Sequence, residues 1–286
     1  MTKVIKNLKE NKNKIKKGRK QMKKVITILA VPILSMFLMV GNVLALEIGT
    51  NITINDKKNQ DSDWHQYNED QEVEPGMEHG QQWDLEGFFQ NNNQLSMVAG
   101  FDFENGVPGY SKYASGDIFI DVNNDADYGR DLKSDSYNQT VVQDTFGYDY
   151  VLDLDFDNST YNVYALDSDT STVAVWYNQN SGSNPWRYND KGKYLSSGSF
   201  EYWEGLDDND SVIDLNNEFE GGNHYALTGF DLSFLGDTEF ITHFTMGCGN
   251  DNLMGKGTAP VPESTTILLF GCGLIGLATL RKKFKK

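Results

Sequence analysis

Tyr148-Asp149-Tyr150-Val151-Leu152-Asp153-Leu154-Asp155-Phe156 decides the fold class. Every even position is apolar or aromatic, while Asp149, Asp153 and Asp155 take odd ones. A period of two belongs to a strand whose side chains alternate between two faces. The even face is expected in a core and the acidic face in water, where its charge discourages edge pairing between molecules. Similar alternation lies upstream. Met97, Ala99, Phe101 and Phe103 oppose Val98, Gly100 and Asp102; Ile118, Ile120 and Val122 oppose Asp117, Phe119 and Asp121. Shorter β-rich runs follow at 161–166, 172–177, 199–203, 225–235 and 240–246, with turn-rich links such as 178–184 and 207–210. No helical stripe appears outside the two ends. Eight to ten strands are therefore expected over residues 46–258, as an all-β antiparallel β-sandwich, jelly-roll-like. Residues 47–82 are polar and read as loop, with one short strand near Ile52-Thr53-Ile54. His65 and His79 match no metal-ligand spacing and are read as solvated.

The two ends have a different character. Met1 to Lys24 holds eleven Lys or Arg and one acid, Glu10. Val25 to Val40 is apolar, and Val43-Leu44-Ala45 offers small residues where a signal peptidase reads. Residues 1–45 are read as a signal peptide. Met22-Lys23-Lys24 before Val25 forms a compact signal start by itself, so Met22 is an alternative initiator. At the other end, Ala259 to Lys286 contains Val261-Pro262-Glu263, an uncharged run from Ile267 to Leu280 and the basic Arg281-Lys282-Lys283-Phe284-Lys285-Lys286. The run spans roughly 21 Å as a helix, and the preceding threonines and snorkelling basic residues bring it nearer a bilayer core of ~30 Å. A plain C-terminal anchor is one reading.

That order of motif, short Gly-containing helix and basic end resembles the PEP-CTERM sorting signal of exported bacterial proteins, although Ser264 replaces the second proline. The resemblance implies a bacterial surface or matrix protein, transiently membrane-anchored and cut at Val261, Pro262 and Glu263 by the membrane protease exosortase. The body also resembles a recurrent exported type among PEP-CTERM proteins. The likeness is carried by 69–75 (EDQEVEP), 83–88 (WDLEGF), 116–121 (GDIFID), 184–188 (NPWRY) and 243–253 (HFTMGCGNDNL). It implies a surface or biofilm-matrix protein and supplies no established activity.

Charge supports an exported body. The ends hold 11 and 5 of the 25 Lys+Arg, which leaves 9 against 39 acids between them, or about −30. Such a surface argues against nucleic acid and anionic membranes as partners. It suits a hydrated matrix or one that recruits divalent cations. Cys248 is the only thiol outside the C-terminal helix, so residues 46–258 hold no internal disulfide.

Three groups of residues could carry chemistry. Asp121, Asn123, Asp125 and Asp127 alternate in a short loop, so their oxygens could converge on calcium. Ala126 and Leu132 stand where an EF-hand needs Gly and Glu, so a looser calcium loop is expected; a polar turn is the alternative. Cys248 with His243 invites a nucleophile reading, but alternation puts Phe244, Met246 and Cys248 on one face and His243 on the other, with the thiol in the core. Trp176, Trp186 and Trp203 are candidates for stacking on sugar rings, as in sugar-binding β-sandwiches. The function expected is an exported cell-surface or extracellular-matrix protein, associated with biofilm or exopolysaccharide and without catalytic activity. Its processing partners would be signal peptidase and exosortase. A carbohydrate-binding module acting on exopolysaccharide is the alternative, and a secreted glycoside hydrolase, which needs paired carboxylates across a cleft, comes after it.

Overall fold

The computed structural model describes residues 48–54, 73, 77–109, 113–127, 139–175, 183–213, 219 and 221–260. The proposed signal peptide, Trp176, and the Val261-Pro262-Glu263 motif with its helix lie outside the described residues. Among the described residues no helix is long and apolar enough to cross a membrane. Everything regular among the described residues is β, apart from single turns of 3-10 helix at Gln81–Trp83 and Ser233–Leu235.

Among the described residues fourteen strands follow in order. They are β1 (Thr50–Asn51), β2 (Gly87–Asn91), β3 (Gln94–Ala99), β4 (Ile118–Asp121), β5 (Thr140–Val142), β6 (Tyr150–Asp155) and β7 (Thr160–Ala165). Then come β8 (Ser171–Ala174), β9 (Arg187–Asp190), β10 (Lys193–Ser199), β11 (Glu201–Leu206), β12 (His224–Asp231), β13 (Thr238–Thr245) and β14 (Asn252–Ala259). They form a five-stranded sheet β1-β2-β3-β12-β11, a six-stranded sheet β10-β7-β6-β4-β13-β14 and a three-stranded sheet β5-β8-β9. Every neighbouring pair is antiparallel.

The two larger sheets share one apolar cluster. Leu95, Met97, Leu227 and Phe230 of the five-stranded sheet join Ile118, Ile120, Leu152 and Phe244 of the six-stranded one. The even face of 148–156 behaves largely as expected, since Tyr150, Leu152, Leu154 and Phe156 all pack into this cluster. Two corrections apply. Tyr148 lies before β6 and packs elsewhere, and the odd face is not simply wet. Val151 is fully buried in a second cluster with Phe119, Phe146, Tyr148 and Ala174, beneath the three-stranded sheet. Nor is β6 an edge strand, because β7 and β4 flank it.

The expected run 199–203 is two strands. Phe200, buried, is the single residue between β10 in the six-stranded sheet and β11 in the five-stranded one. Near the start, the short strand falls at Thr50–Asn51, and Thr53 makes an isolated bridge to Gly255. β14 carries glycine where the neighbouring layer presses on its backbone. A Cβ at Gly257 would stand 2.3 Å from Gln90 Oε1 and 2.7 Å from the Phe240 ring, inside any van der Waals contact.

Candidate functional site

The Asp121 loop is built by its own side chains. β4 ends at Asp121, whose Oδ1 accepts the N–H groups of Asn123 (2.9 Å) and Asn124 (2.8 Å), while Oδ2 accepts that of Ala126 (3.1 Å). Asn123 Oδ1 accepts from Asp125 N–H at 2.9 Å, and Asn124 takes a positive φ of 63° to close the turn. Asp149, which spacing could not reveal, joins from just before β6, the strand beside β4. Its Oδ2 accepts from Val122 N–H (2.8 Å) and its Oδ1 from Asn123 Nδ2 (3.2 Å). Burial, then the nearby Asp121 and Asp125, push the Asp149 carboxyl above its usual range, against the two donors. So Asp121 and Asn123 cap backbone, and Asp125 and Asp127 are exposed. Among the described residues no three His, Cys, Asp or Glu side chains are grouped as metal ligands. Asp121 Oδ1 is saturated by two N–H groups, whereas each Asp149 oxygen accepts one and keeps a second lone pair, so capping and cation binding are compatible at Asp149.

Of the candidate tryptophans, Trp186 and Trp203 are described, and these two are not brought together. Trp186 is 7% exposed; its Nε1 donates to the Ala114 carbonyl (3.2 Å) and the Arg187 guanidinium lies 4.7 Å from its ring. A ring enclosed in this way offers little of its face to a sugar. Trp203 is half-buried in β11, with Nε1 donating to Thr228 Oγ1 (3.2 Å), and packs on the cluster of Phe89, Val98 and Leu206. It belongs to a different sheet from the strand that Trp186 precedes. Trp83, 6% exposed, floors a groove of ≈ 560 Å³ with Val107, beside Tyr113, Cys248, Glu78 and Asn250. Asn250 holds one wall, accepting from Glu78 N–H and donating to Glu78 O, both at 2.9 Å.

Cys248 and His243 are separated as alternation implies. Cys248 packs on the main core with Phe244 and Met246. His243 lies on the opposite face, stacked on Tyr148 at 5.6 Å and near Phe119. Its Nε2–H donates to the Pro185 carbonyl (3.0 Å), Nδ1 finds no partner, and burial pulls its pKa down to about 4. It is a neutral core histidine and cannot serve that thiol as a base.

Sequence reasoning missed two polar networks. In the first, His224 is fully buried; its Nδ1 meets Glu86 at 2.7 and 2.8 Å, and its Nε2 meets Asp208 Oδ1 at 2.9 Å. Gln81 Nε2 donates to Glu86 Oε1 at 2.7 Å. Burial lowers the His224 pKa, but the two carboxylates outweigh it and hold the imidazole above its usual value. In the second, buried Asp117 accepts from the N–H groups of Leu154 (3.0 Å) and Tyr188 (2.8 Å), tying β6 to β9. Burial, then Asp153, push its carboxyl up to about 7, against those donors and Arg187. Neither network has a sequence motif, because its members lie far apart in the chain.

On the face of the six-stranded sheet that the three-stranded sheet partly covers, Tyr164 and Tyr188 stack at 4.6 Å, with Tyr194 edge-on to Tyr164 at 5.9 Å. Tyr194 is 55% exposed. Comparison of the chain with protein-family models, curated proteins and solved structures found no match.

Proposed function

We propose that the chain is an exported cell-surface or extracellular-matrix protein, associated with biofilm or exopolysaccharide and without catalytic activity. Signal peptidase and exosortase process its ends, and residues 259–286 anchor it to the membrane transiently. The observation that carries this reading is the distribution of charge: 16 of 25 Lys+Arg flank a body with 9 cations and 39 acids. A jelly-roll-like sandwich over residues 46–258 is part of the proposal, supported by the apolar cluster common to the two larger sheets. So is calcium at Asp121, Asn123, Asp125 and Asp127, supported by the clustering of the first three with Asp149.

Fractionation and intact mass test the main reading. The native form is expected at the cell surface, lacking residues 1–45 and the helix Ile267–Leu280, and Pro262→Ala with Glu263→Ala should leave it membrane-bound. A cytosolic chain with both ends intact overturns the proposal. The second reading, a carbohydrate-binding module, is favoured by the exposed tyrosine face on the six-stranded sheet.

A further inference from the structure

We propose that the outer face of β6, β7 and β10, beside Tyr194, binds neutral polysaccharide; the inference rests on the matrix reading and names its partner. The cross-strand register defines the face. One row runs Tyr194, Tyr164, Val151, Phe119 across β10, β7, β6 and β4. Toward β4 it is covered, since Val151 and Phe119 pack under the three-stranded sheet with Phe146 and Ala174. Toward β10 the cover ends, and the row emerges as the stacked pair and the exposed Tyr194 ring. The next row on the same face is Ser197, Asn162, Asp153, about 7 Å farther along the strands.

That second row sets this face apart. Neither the Asn162 amide nor the Asp153 carboxylate has a side-chain hydrogen-bond partner among the described residues. Arg187 attracts Asp153 electrostatically, and burial pushes its carboxyl upward. An aromatic ring beside an uncommitted amide, carboxylate and hydroxyl is what a pyranose requires. Its C–H face packs on the ring, and its hydroxyls donate to the carboxylate and exchange hydrogen bonds with the amide. The Trp83 groove is concave, but its indole is nearly enclosed and Asn250 is already committed to Glu78.

Charge narrows the ligand. Asp153 and Asp155 lie on this face of a body near −30, so polyuronates are repelled and uncharged glycans are not. The same charge opposes a second copy of the chain. The free edge of β10 is further interrupted by a register shift between Tyr194 and Ser196, which discourages strand addition.

Affinity electrophoresis of the full chain tests the site, with gels containing a neutral glucan, a galactomannan or polygalacturonate. The expected result is retardation by at least one neutral polymer and none by polygalacturonate. Tyr194→Ala, which opens no core, and Asn162→Ala should each weaken binding roughly tenfold without lowering the melting temperature. The proposal is overturned if no neutral polymer retards the wild type, or if both variants are retarded equally with it. It is also overturned if ultracentrifugation finds a dimer that Tyr194→Ala abolishes, since the face would then join two copies. Retention by a protein that proves cytosolic would remove the surface reading and keep the site; export without retention would do the reverse.

Discussion

His224 joins parts of the chain that lie far apart in the sequence. Its two ring nitrogens engage Glu86, just before β2, and Asp208, in the loop after β11, so one side chain ties both to β12. With both nitrogens donating, the imidazolium matches two carboxylate acceptors, which is why its pKa lies above 6.5. His224→Phe should cost about 3–5 kcal/mol in urea unfolding, because Glu86 would remain buried with only Gln81 to hold it. Asp208→Asn should cost less, since that end reaches solvent and an amide oxygen can still accept. A similar argument applies to Arg187, whose Nε donates to the Ser115 carbonyl at 2.8 Å and whose charge restrains Asp117 and Asp153. Arg187→Met is expected to cost about 1–3 kcal/mol by the same measurement, with a larger loss above pH 7. None of this was legible in the sequence. His224 falls one residue before the run read as a strand, and buried polar pairs carry no periodicity.

Among the elements, alternation was most informative where one face meets the main core, as in β3, β4 and β6. It failed for β10, whose Lys193-Tyr194-Leu195-Ser196-Ser197-Gly198-Ser199 is exposed along nearly its whole length and so carries no buried stripe. It failed for β14, whose glycines answer to close packing. The Asp121 loop was recognised as a tight polar loop at a strand end, but Asp149 was not seen, since it comes from the approach to β6, far along the chain. The structure separates two roles inside this loop. Asp121→Ala removes the acceptor for three N–H groups and should cost about 2–3 kcal/mol even without calcium. Asp125→Ala, at an exposed position, should barely change stability without calcium. If the loop binds calcium, the ion at about a hundred times Kd adds roughly 2.7 kcal/mol to the wild type, a rise of ~5–10 °C. Sodium at matched ionic strength should give much less, and Asp125→Ala should remove most of the difference. Equal calcium responses in wild type and variant would reduce the loop to a polar turn.

At the scale of the molecule, one interior lies between the two larger sheets and another beneath the three-stranded sheet, and the latter was not legible. Phe119 and Val151 looked like the wet sides of amphipathic strands, yet the three-stranded sheet covers them, together with the carboxyl of Asp117. Layering therefore buries acids that sequence alone assigns to solvent, and this sets the response to pH. Glu86, Asp117, Asp149 and Asp153 are all shifted upward, with burial the largest cause in each. A group with a raised folded pKa holds more protons folded than unfolded, so its contribution is lost as pH rises. For Asp117, moved from 3.8 to about 7, the loss falls between those values. His224 has the same sign, with its contribution complete below 6.5 and lost above it as pH passes its folded value. Asp208 has the opposite sign, being depressed below 3.8, and weakens the fold only in stronger acid. Stability should therefore peak in mild acid. Between pH 5 and pH 8 the Asp117 contribution alone is on the order of 2–3 kcal/mol, so the melting temperature at pH 5 should exceed that at pH 8 by ~5–10 °C. Relief of general repulsion would act in the same direction, but salt mimics that effect and does not mimic protonation of a buried carboxyl. The comparison is therefore made in high salt, with Asp117→Asn beside the wild type. The variant cannot ionise and should show a visibly flatter decline, although its amide, turned toward one backbone N–H, lowers stability at every pH. A wild-type melting temperature that holds steady or rises from pH 5 to pH 8 would mean that these carboxyls are hydrated, and that the third sheet does not seal them.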